Sequence, residues 1–392
     1  MKTTMEATAM TDAGMIYLHV PFCARRCIYC DFYSTTLSEE VRKQYVKAAQ
    51  RELKERVSYL PSSHIRTIYF GGGTPSQLST EEIASLLDCI RTHYDVASNA
   101  EITLECNPDD ITQAFVKAIK EIGINRVSLG IQSFDDKILH LLNRRHDARE
   151  AEEAVRTLYE NSLGNISIDL IYGLPRQDVT SFSADLNKAF SLPIKHLSSY
   201  ALSVEKGTPL AKRIEEKALE VASEETFVKE YALLMEQAEK HGFVHYEISN
   251  FALQGFESKH NSGYWDGTPY LGIGPGAHSF DGTNRRYNLP QLLDYIKQSE
   301  QGIFPHQTEL LKDHERYNEW IFTSLRTSKG LSLELTERRY GRERLNYLLR
   351  NAQPHISSGR IIKEDNHLKI ARDSIMVSDD IISDLMMDET IL

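Results

Sequence analysis

Cys23-Ala24-Arg25-Arg26-Cys27-Ile28-Tyr29-Cys30 places three of the chain's five cysteines within eight residues. Three thiolates on one short loop can converge on a single metal centre. A structural zinc site wants a fourth Cys or His close by, as a second CxxC or an HxxxH, and none follows. A disulfide framework goes with an even cysteine count in a small secreted chain, whereas this chain has 392 residues. Soft thiolates suit an iron-sulfur cluster, which normally takes four cysteines; three leave one iron open for chemistry. Spacing alone leaves a cluster, zinc and plain loop thiols all in play.

What surrounds the loop decides the fold. From Ile16 to about Ala201, short apolar runs alternate with longer amphipathic stretches, the pattern of repeated βα units. Six strands are expected: Ile16 to Val20, Thr67 to Phe70, Glu101 to Glu105, Arg126 to Ile131, Ile166 to Ile171 and His196 to Ala201. Helix punctuation agrees. Ser38 precedes Glu39-Glu40, Ser79-Thr80-Glu81-Glu82 forms a capping box, and Gly123 stands where a C-terminal stop belongs. A parallel barrel builds its site from the loops that follow its strands. Here those loops carry the cysteines, then Gly71-Gly72-Gly73-Thr74-Pro75, then Glu105 ahead of Asn107-Pro108; Gln132, Asp169 and Tyr200 mark the other three strand ends. The expected class is α/β, an open (β/α)6 partial TIM-type barrel.

CxxxCxxC after a short apolar segment, with an aromatic before the last Cys, resembles the signature of the radical S-adenosylmethionine (SAM) superfamily. More narrowly, the stretch HVPFCARRCIYCDFYS resembles the oxygen-independent coproporphyrinogen III oxidase-like family, within it the HemW-type heme chaperone branch. The resemblance runs from about Tyr17 into the C-terminal domain. It implies that Cys23, Cys27 and Cys30 hold a [4Fe-4S] cluster whose fourth iron is chelated by SAM. In that superfamily an electron from the cluster cleaves SAM to methionine and a 5'-deoxyadenosyl radical. It further implies that Gly72, with Gly73 and Thr74, contacts the SAM amino group. Without side chains the backbone there can approach a polar ligand closely, although an isolated glycine triplet is also an ordinary tight turn. Glu105, costly to bury unpaired, suits the hydroxyls of a ribose. Gln132, Arg144 and Asp169, each of which alone is more commonly a helix cap or a surface ion pair, match further SAM-contacting positions in order and setting, as do Tyr17 and Tyr29.

A second motif is His260-Asn261-Ser262-Gly263-Tyr264-Trp265. Composition alone reads it as a surface loop whose aromatic rings pack onto the domain. The HNxxYW pattern resembles one associated with heme binding in HemW-type proteins, which implies His260 as an axial ligand and Asn261, Tyr264 and Trp265 as neighbours of the porphyrin. Two departures favour the chaperone branch over the oxidase. Asp31-Phe32 follows Cys30 where the oxidases carry another Cys, and only 22 residues precede Cys23. The expected function is a heme chaperone passing heme to acceptor hemoproteins such as respiratory enzymes, with an electron donor required if SAM is cleaved. The alternative is a coproporphyrinogen III dehydrogenase. His19 is expected inside the barrel, Cys89 as a buried hydrophobe, and Cys106 at the site's rim.

Charge narrows the partners. Lys and Arg total 45 against 56 Asp and Glu, a net charge of -11 that disfavours nucleic acid and leaves at most peripheral contact with a membrane. No apolar run approaches a bilayer span, and free thiols without a secretory signal suit the cytoplasm. The expected organisation is a disordered leader over 1–14, the barrel over 15–241, a Gly- and aromatic-rich extension over 242–290, and a C-terminal helical domain over 291–392 that resembles a winged helix.

Overall fold

The structure, a computed structural model, describes residues 13–389. The expected leader lies outside the described residues through residue 12, and Gly14 already opens the first strand. In chain order the barrel comprises β1 (Gly14–Val20), α1 (Glu39–Glu55), β2 (His64–Gly72), α2 (Thr80–His93), β3 (Asp95–Cys106), α3 (Gln113–Glu121), β4 (Arg126–Gln132), α4 (Asp136–Leu141), α5 (Ala148–Glu160), β5 (Ile166–Tyr172), α6 (Val179–Ser191) and β6 (His196–Ala201). All six expected strands are present and pair in parallel, each with the next in sequence. The capping box of α2 forms as its sequence dictates: Ser79 Oγ accepts from Glu82 N and Glu82 Oε2 accepts from Ser79 N.

Strand periodicity sorts the side chains into two sets. Ile16, Leu18, Ile68, Phe70, Ile102, Leu104, Val127, Leu129, Ile166 and Ile168 face the helices and form the main apolar core with residues such as Tyr45, Leu53, Leu86 and Ile90. The alternate set, Tyr69, Thr103, Glu105, Arg126, Ser128, Ser167, Asp169, His196, Ser198 and Tyr200, lines a small polar cavity inside the barrel. Apolar burial therefore holds the barrel from outside, and the interior is left for chemistry.

The chain continues through α7 (Pro209–Glu215), α8 (Glu224–Lys240), β7 (Val244–Glu247), β8 (Asn250–Ala252), α9 (Lys259–Asp266), β9 (Tyr270–Ile273), β10 (His278–Phe280), β11 (Arg285–Asn288), α10 (Leu292–Ser299) and β12 (His306–Glu309). β8 pairs antiparallel with β6 and β9 pairs parallel with β1, so these segments extend both edges of the open barrel into one twelve-stranded sheet. That topology fixes α9. The chain leaves β8 opposite the start of β6, at the Ala252–His196 pair, and enters β9 opposite the start of β1, at the Tyr270–Met15 pair. The helix between them must cross the N-terminal mouth of the barrel.

The last segment holds α11 (Asp313–Leu325), β13 (Leu331–Ser332), α12 (Leu333–Ser357, interrupted at Gly341), β14 (Ile361–Glu364), β15 (His367–Ile370) and α13 (Ser378–Leu385). Its helix, strand, helix and hairpin order is that of a winged helix, with Asp365 turning the hairpin at φ 49°. A separate apolar core of Tyr317, Ile321, Leu348, Leu368, Ile381 and Leu385 holds it together.

Candidate SAM and cluster site

At the C-terminal face the cysteine loop is closed at its base and anchored at its tip. Cys23 N donates to Thr35 O at 2.8 Å and Thr35 N to Pro21 O at 2.7 Å, pinning the ends. At the tip Ile28 enters an apolar cluster with Ile138, Leu142, Leu174 and Leu210, and its backbone bonds to Leu142 and Leu210. Asn143, held at φ 62°, donates to Arg26 O at 2.8 Å. Cys23, Cys27 and Cys30 are thereby left free and half-buried around one opening.

The thiols meet the residues expected beside them. Thr74 Oγ1 donates to Cys23 Sγ at 3.5 Å, and Arg144 Nη1 donates to Cys27 Sγ at 3.3 Å. An added Cβ at Gly73 would stand 2.8 Å from Phe22 O and 3.1 Å from Cys23 Sγ, so only glycine lets the strand end close on the cysteine loop. Arg144 also donates to Asn107 Oδ1 at 2.9 Å and to Gly130 O, and its Nε is buried without a partner. Burial pushes the Cys30 thiol up to about 11, and the neighbouring thiols Cys27 and Cys23 add to the rise. Among the described residues no three His, Cys, Asp or Glu side chains gather closely enough for a single ion. Thr74 and Arg144 thus aim donors at two of the three thiols, as groups beside thiolate ligands would. Cys106 is buried in the sheet–helix core and Cys89 is buried against Gln50 O, both away from this opening.

Next to the cluster loop lies a polar floor. Glu105 Oε1 accepts from Tyr69 OH at 2.7 Å and Oε2 from Gly72 N at 3.1 Å. Burial, with Asp169 adding to it, raises Glu105 to about 7 against the pull of its two hydrogen bonds. Asp169, which accepts from Ser128 Oγ at 3.1 Å, is raised by burial to about 6. Gln132 occupies the left-handed region at φ 76°, where β4 and β5 shift register, and stands with Arg144 beside Gly130. A non-glycine residue held there is the strained kind of backbone found at ligand sites. His19 packs its ring 2.8 Å from where a Gly72 Cβ would sit. Tyr17 OH lies 3.1 Å from His19 Nδ1 and Tyr33 O lies 2.9 Å from His19 Nε2. Burial raises the Tyr29 phenol well above its ordinary range; the Arg144 guanidinium beside it pulls the other way, and Cys27 adds to the rise.

The HNxxYW residues lie at the other mouth. The expected loop is a helix, α9, capped by Ser258 and closed by Gly267 at φ 75°. Its Gly263 concealed the helix in the sequence, yet an added Cβ there would overlap Met15 Sδ and crowd Arg66. His260 is buried inside the barrel. Its Nδ1 lies 2.7 Å from Thr67 Oγ1, its Nε2 lies 2.9 Å from Tyr264 OH, and its backbone N–H donates to Glu101 Oε1 at 3.0 Å. Burial lowers the ring to about 3, keeping it neutral. Asn261 borders the interior cavity, and Trp265 lies under the Arg326 guanidinium. With both ring nitrogens taken, His260 as placed is not open to a metal; a ligand there must first displace Tyr264 or Thr67.

An open parallel barrel with a three-cysteine loop after its first strand defines a radical SAM protein, and the family model described as the radical SAM superfamily matches residues 17–189. The heme chaperone HemW of Bacillus subtilis is 35% identical over 328 residues, covering 83% of this chain and 86% of that protein. That of Lactococcus lactis is 35% identical over 326 residues, covering 83% and 84%. The chain belongs to this family, the HemW branch of the radical SAM superfamily. The coproporphyrinogen III oxidase of Escherichia coli shares the fold, with a TM-score of 0.83 at 21% identity over 96% of this chain and 91% of that one. No helix among the described residues is long and apolar enough to cross a membrane.

Proposed function

We propose that this chain is a heme chaperone of the cytoplasm that binds heme, carries a [4Fe-4S] cluster with SAM, and delivers heme to acceptor hemoproteins. One observation carries the reading: the chain runs along 86% of a curated heme chaperone at 35% identity. The site is consistent with it. Cys23, Cys27 and Cys30 would hold the cluster, with Thr74 and Arg144 donating to its sulfurs. Gly72, Gly73, Glu105, Gln132 and Asp169 would receive SAM, with Tyr17 and Tyr29 at its margin. When bound, cluster and SAM together supply one-electron chemistry, and an electron donor would then be needed. Heme is assigned to α9 through His260, Asn261, Tyr264 and Trp265, which requires His260 to exchange a hydrogen bond for the ligand.

The test is anaerobic iron and sulfide quantification, heme titration and heme transfer to an apo-hemoprotein, all on one preparation. The expected result is four iron per chain, lost in Cys27→Ser, and stoichiometric heme that reaches the acceptor. Absence of heme binding by the reconstituted protein ends the chaperone reading. The barrel shared with the coproporphyrinogen III oxidase keeps one rival, separable by an anaerobic assay with a reductant: protoporphyrinogen formation favours the enzyme.

A further inference from the structure

The two mouths of the barrel are bridged by two neighbouring rings, Tyr17 and Tyr69, and of these Tyr69 carries the hydrogen bond to Glu105. Tyr69 stacks on His260 with ring centroids 5.0 Å apart and planes at 28°, and its hydroxyl donates to Glu105 Oε1 at 2.7 Å. Glu105 uses its second oxygen on Gly72 N at 3.1 Å. His260 is itself clamped between Thr67 and Tyr264. Contact is therefore continuous from α9 through His260 and Tyr69 to Glu105 and the glycine turn.

We infer that Tyr69 and His260 are positioning residues for SAM: the motif on α9 sets, from below, the orientation of the carboxylate that receives the ribose. This rests on the reading of Glu105 as the ribose-binding group. The physical reason is that a carboxyl in a buried setting rotates, or takes up a proton, unless donors hold its ionised form. Here there are two donors, and Tyr69 OH is the only side chain of the pair. The titratable groups that meet Glu105 are Tyr17 from β1, Tyr69 from β2, the Cys106 thiol next to it on β3, which burial keeps protonated, Asp169 from β5, Tyr200 from β6 and Tyr264 from α9. Burial holds all four phenols protonated, so Asp169 is the one other carboxylate that can repel the charge on Glu105. Losing the Tyr69 hydroxyl shifts that balance toward the protonated acid, in which one acceptor oxygen has become a donor and the grip on the ribose hydroxyls is weaker.

SAM affinity of the anaerobically reconstituted protein, measured by calorimetry between pH 6 and 9, tests this. In the wild type, binding tightens as pH rises through the ionisation of Glu105. Tyr69→Phe keeps the ring and its stacking and removes only the hydroxyl. It is expected to weaken SAM binding roughly tenfold at neutral pH and to move the pH midpoint upward, which a merely structural defect would not do. His260→Ala is expected to act in the same direction with a smaller loss. Glu105→Gln binds weakly and without pH dependence. If Tyr69→Phe matches the wild type in affinity and midpoint while Glu105→Gln does not, the positioning inference is overturned. If Glu105→Gln also binds as the wild type does, the ribose assignment itself is wrong and the inference falls with it.

Discussion

Glu105 and Asp169 are two buried carboxyls on neighbouring faces of one polar interior, and their ionisation gives the free protein a defined pH response. Glu105 titrates near 7 when folded against an ordinary 4.5, and Asp169 near 6 against 3.8. The folded state therefore keeps protons that the unfolded chain has already released. The stabilisation is complete below the ordinary values and is lost as pH rises through about 7. Urea unfolding of the cluster-free protein should show stability falling between pH 5 and 8, by about 1–3 kcal/mol from Glu105 alone. Glu105→Gln should flatten that profile; an unchanged slope would mean the carboxyl is not desolvated as the structure has it. At this scale the sequence was legible wherever a residue type announces its chemistry. Three cysteines, a glycine triplet and a carboxylate at a strand end all read directly. Tyr69, Ile28 and Asn143 did not, because their roles come from what the fold sets beside them. Tyr69 is legible in principle: it shares with Thr67 one face of the expected strand Thr67 to Phe70.

Among the elements, α9 shows most clearly where sequence periodicity fails. Lys259 to Asp266 has a glycine at its centre and no apolar stripe, since its buried face meets a polar barrel interior rather than an oily core. The short polar strands β11 and β12 escaped for a related reason: β12 is the sheet edge and is exposed throughout, and β11 is the strand paired beside it. By contrast β1 to β6 and α8 were readable because each buries an apolar face with a regular period. Gly263 turns this into a test. In an exposed helix Gly→Ala gains about 1 kcal/mol. Here the new methyl would overlap Met15 Sδ and press on the Arg66 guanidinium, which holds Asp266 and Thr268. Gly263→Ala should therefore destabilise the protein by about 1–3 kcal/mol, as overpacked sites do. Equilibrium unfolding decides it, and a stabilised variant would show that α9 does not seat closely on β1 and β2.

Across the whole molecule, the open barrel must be held at the edge where β9 joins β1, and one buried charge does much of that holding. Glu52 on α1 has no solvent exposure and accepts from four groups. Arg56 Nη1 donates at 2.9 Å from the C-cap of the same helix, Gly274 N at 2.9 Å from the turn after β9, Asn288 Nδ2 at 2.8 Å from β11, and Tyr295 OH at 2.7 Å from α10. Arg56 in turn donates to Gly272 O at 2.8 Å and to Ser279 Oγ at 2.9 Å. The turn that Glu52 fixes lies against β1 itself: an added Cβ at Gly274 would come within 2.6 Å of His19 O, and the His19 ring packs on the Gly72 turn. Nothing in the sequence near Glu52 signals this, because apart from Arg56 its partners lie 222 to 243 residues away. Removing the carboxylate strands a buried guanidinium and three donors at once, so Glu52→Ala should cost about 3–5 kcal/mol. Glu52→Gln keeps the volume and one acceptor, and should cost less while still loosening the β9 turn. Hydrogen exchange separates local from global effects. Glu52→Gln is expected to lose protection at Gly272, Gly274 and Asn288 while the amides of β3 to β5 keep theirs. Uniform loss across the barrel would mean instead that this edge and the six-stranded core unfold as one unit.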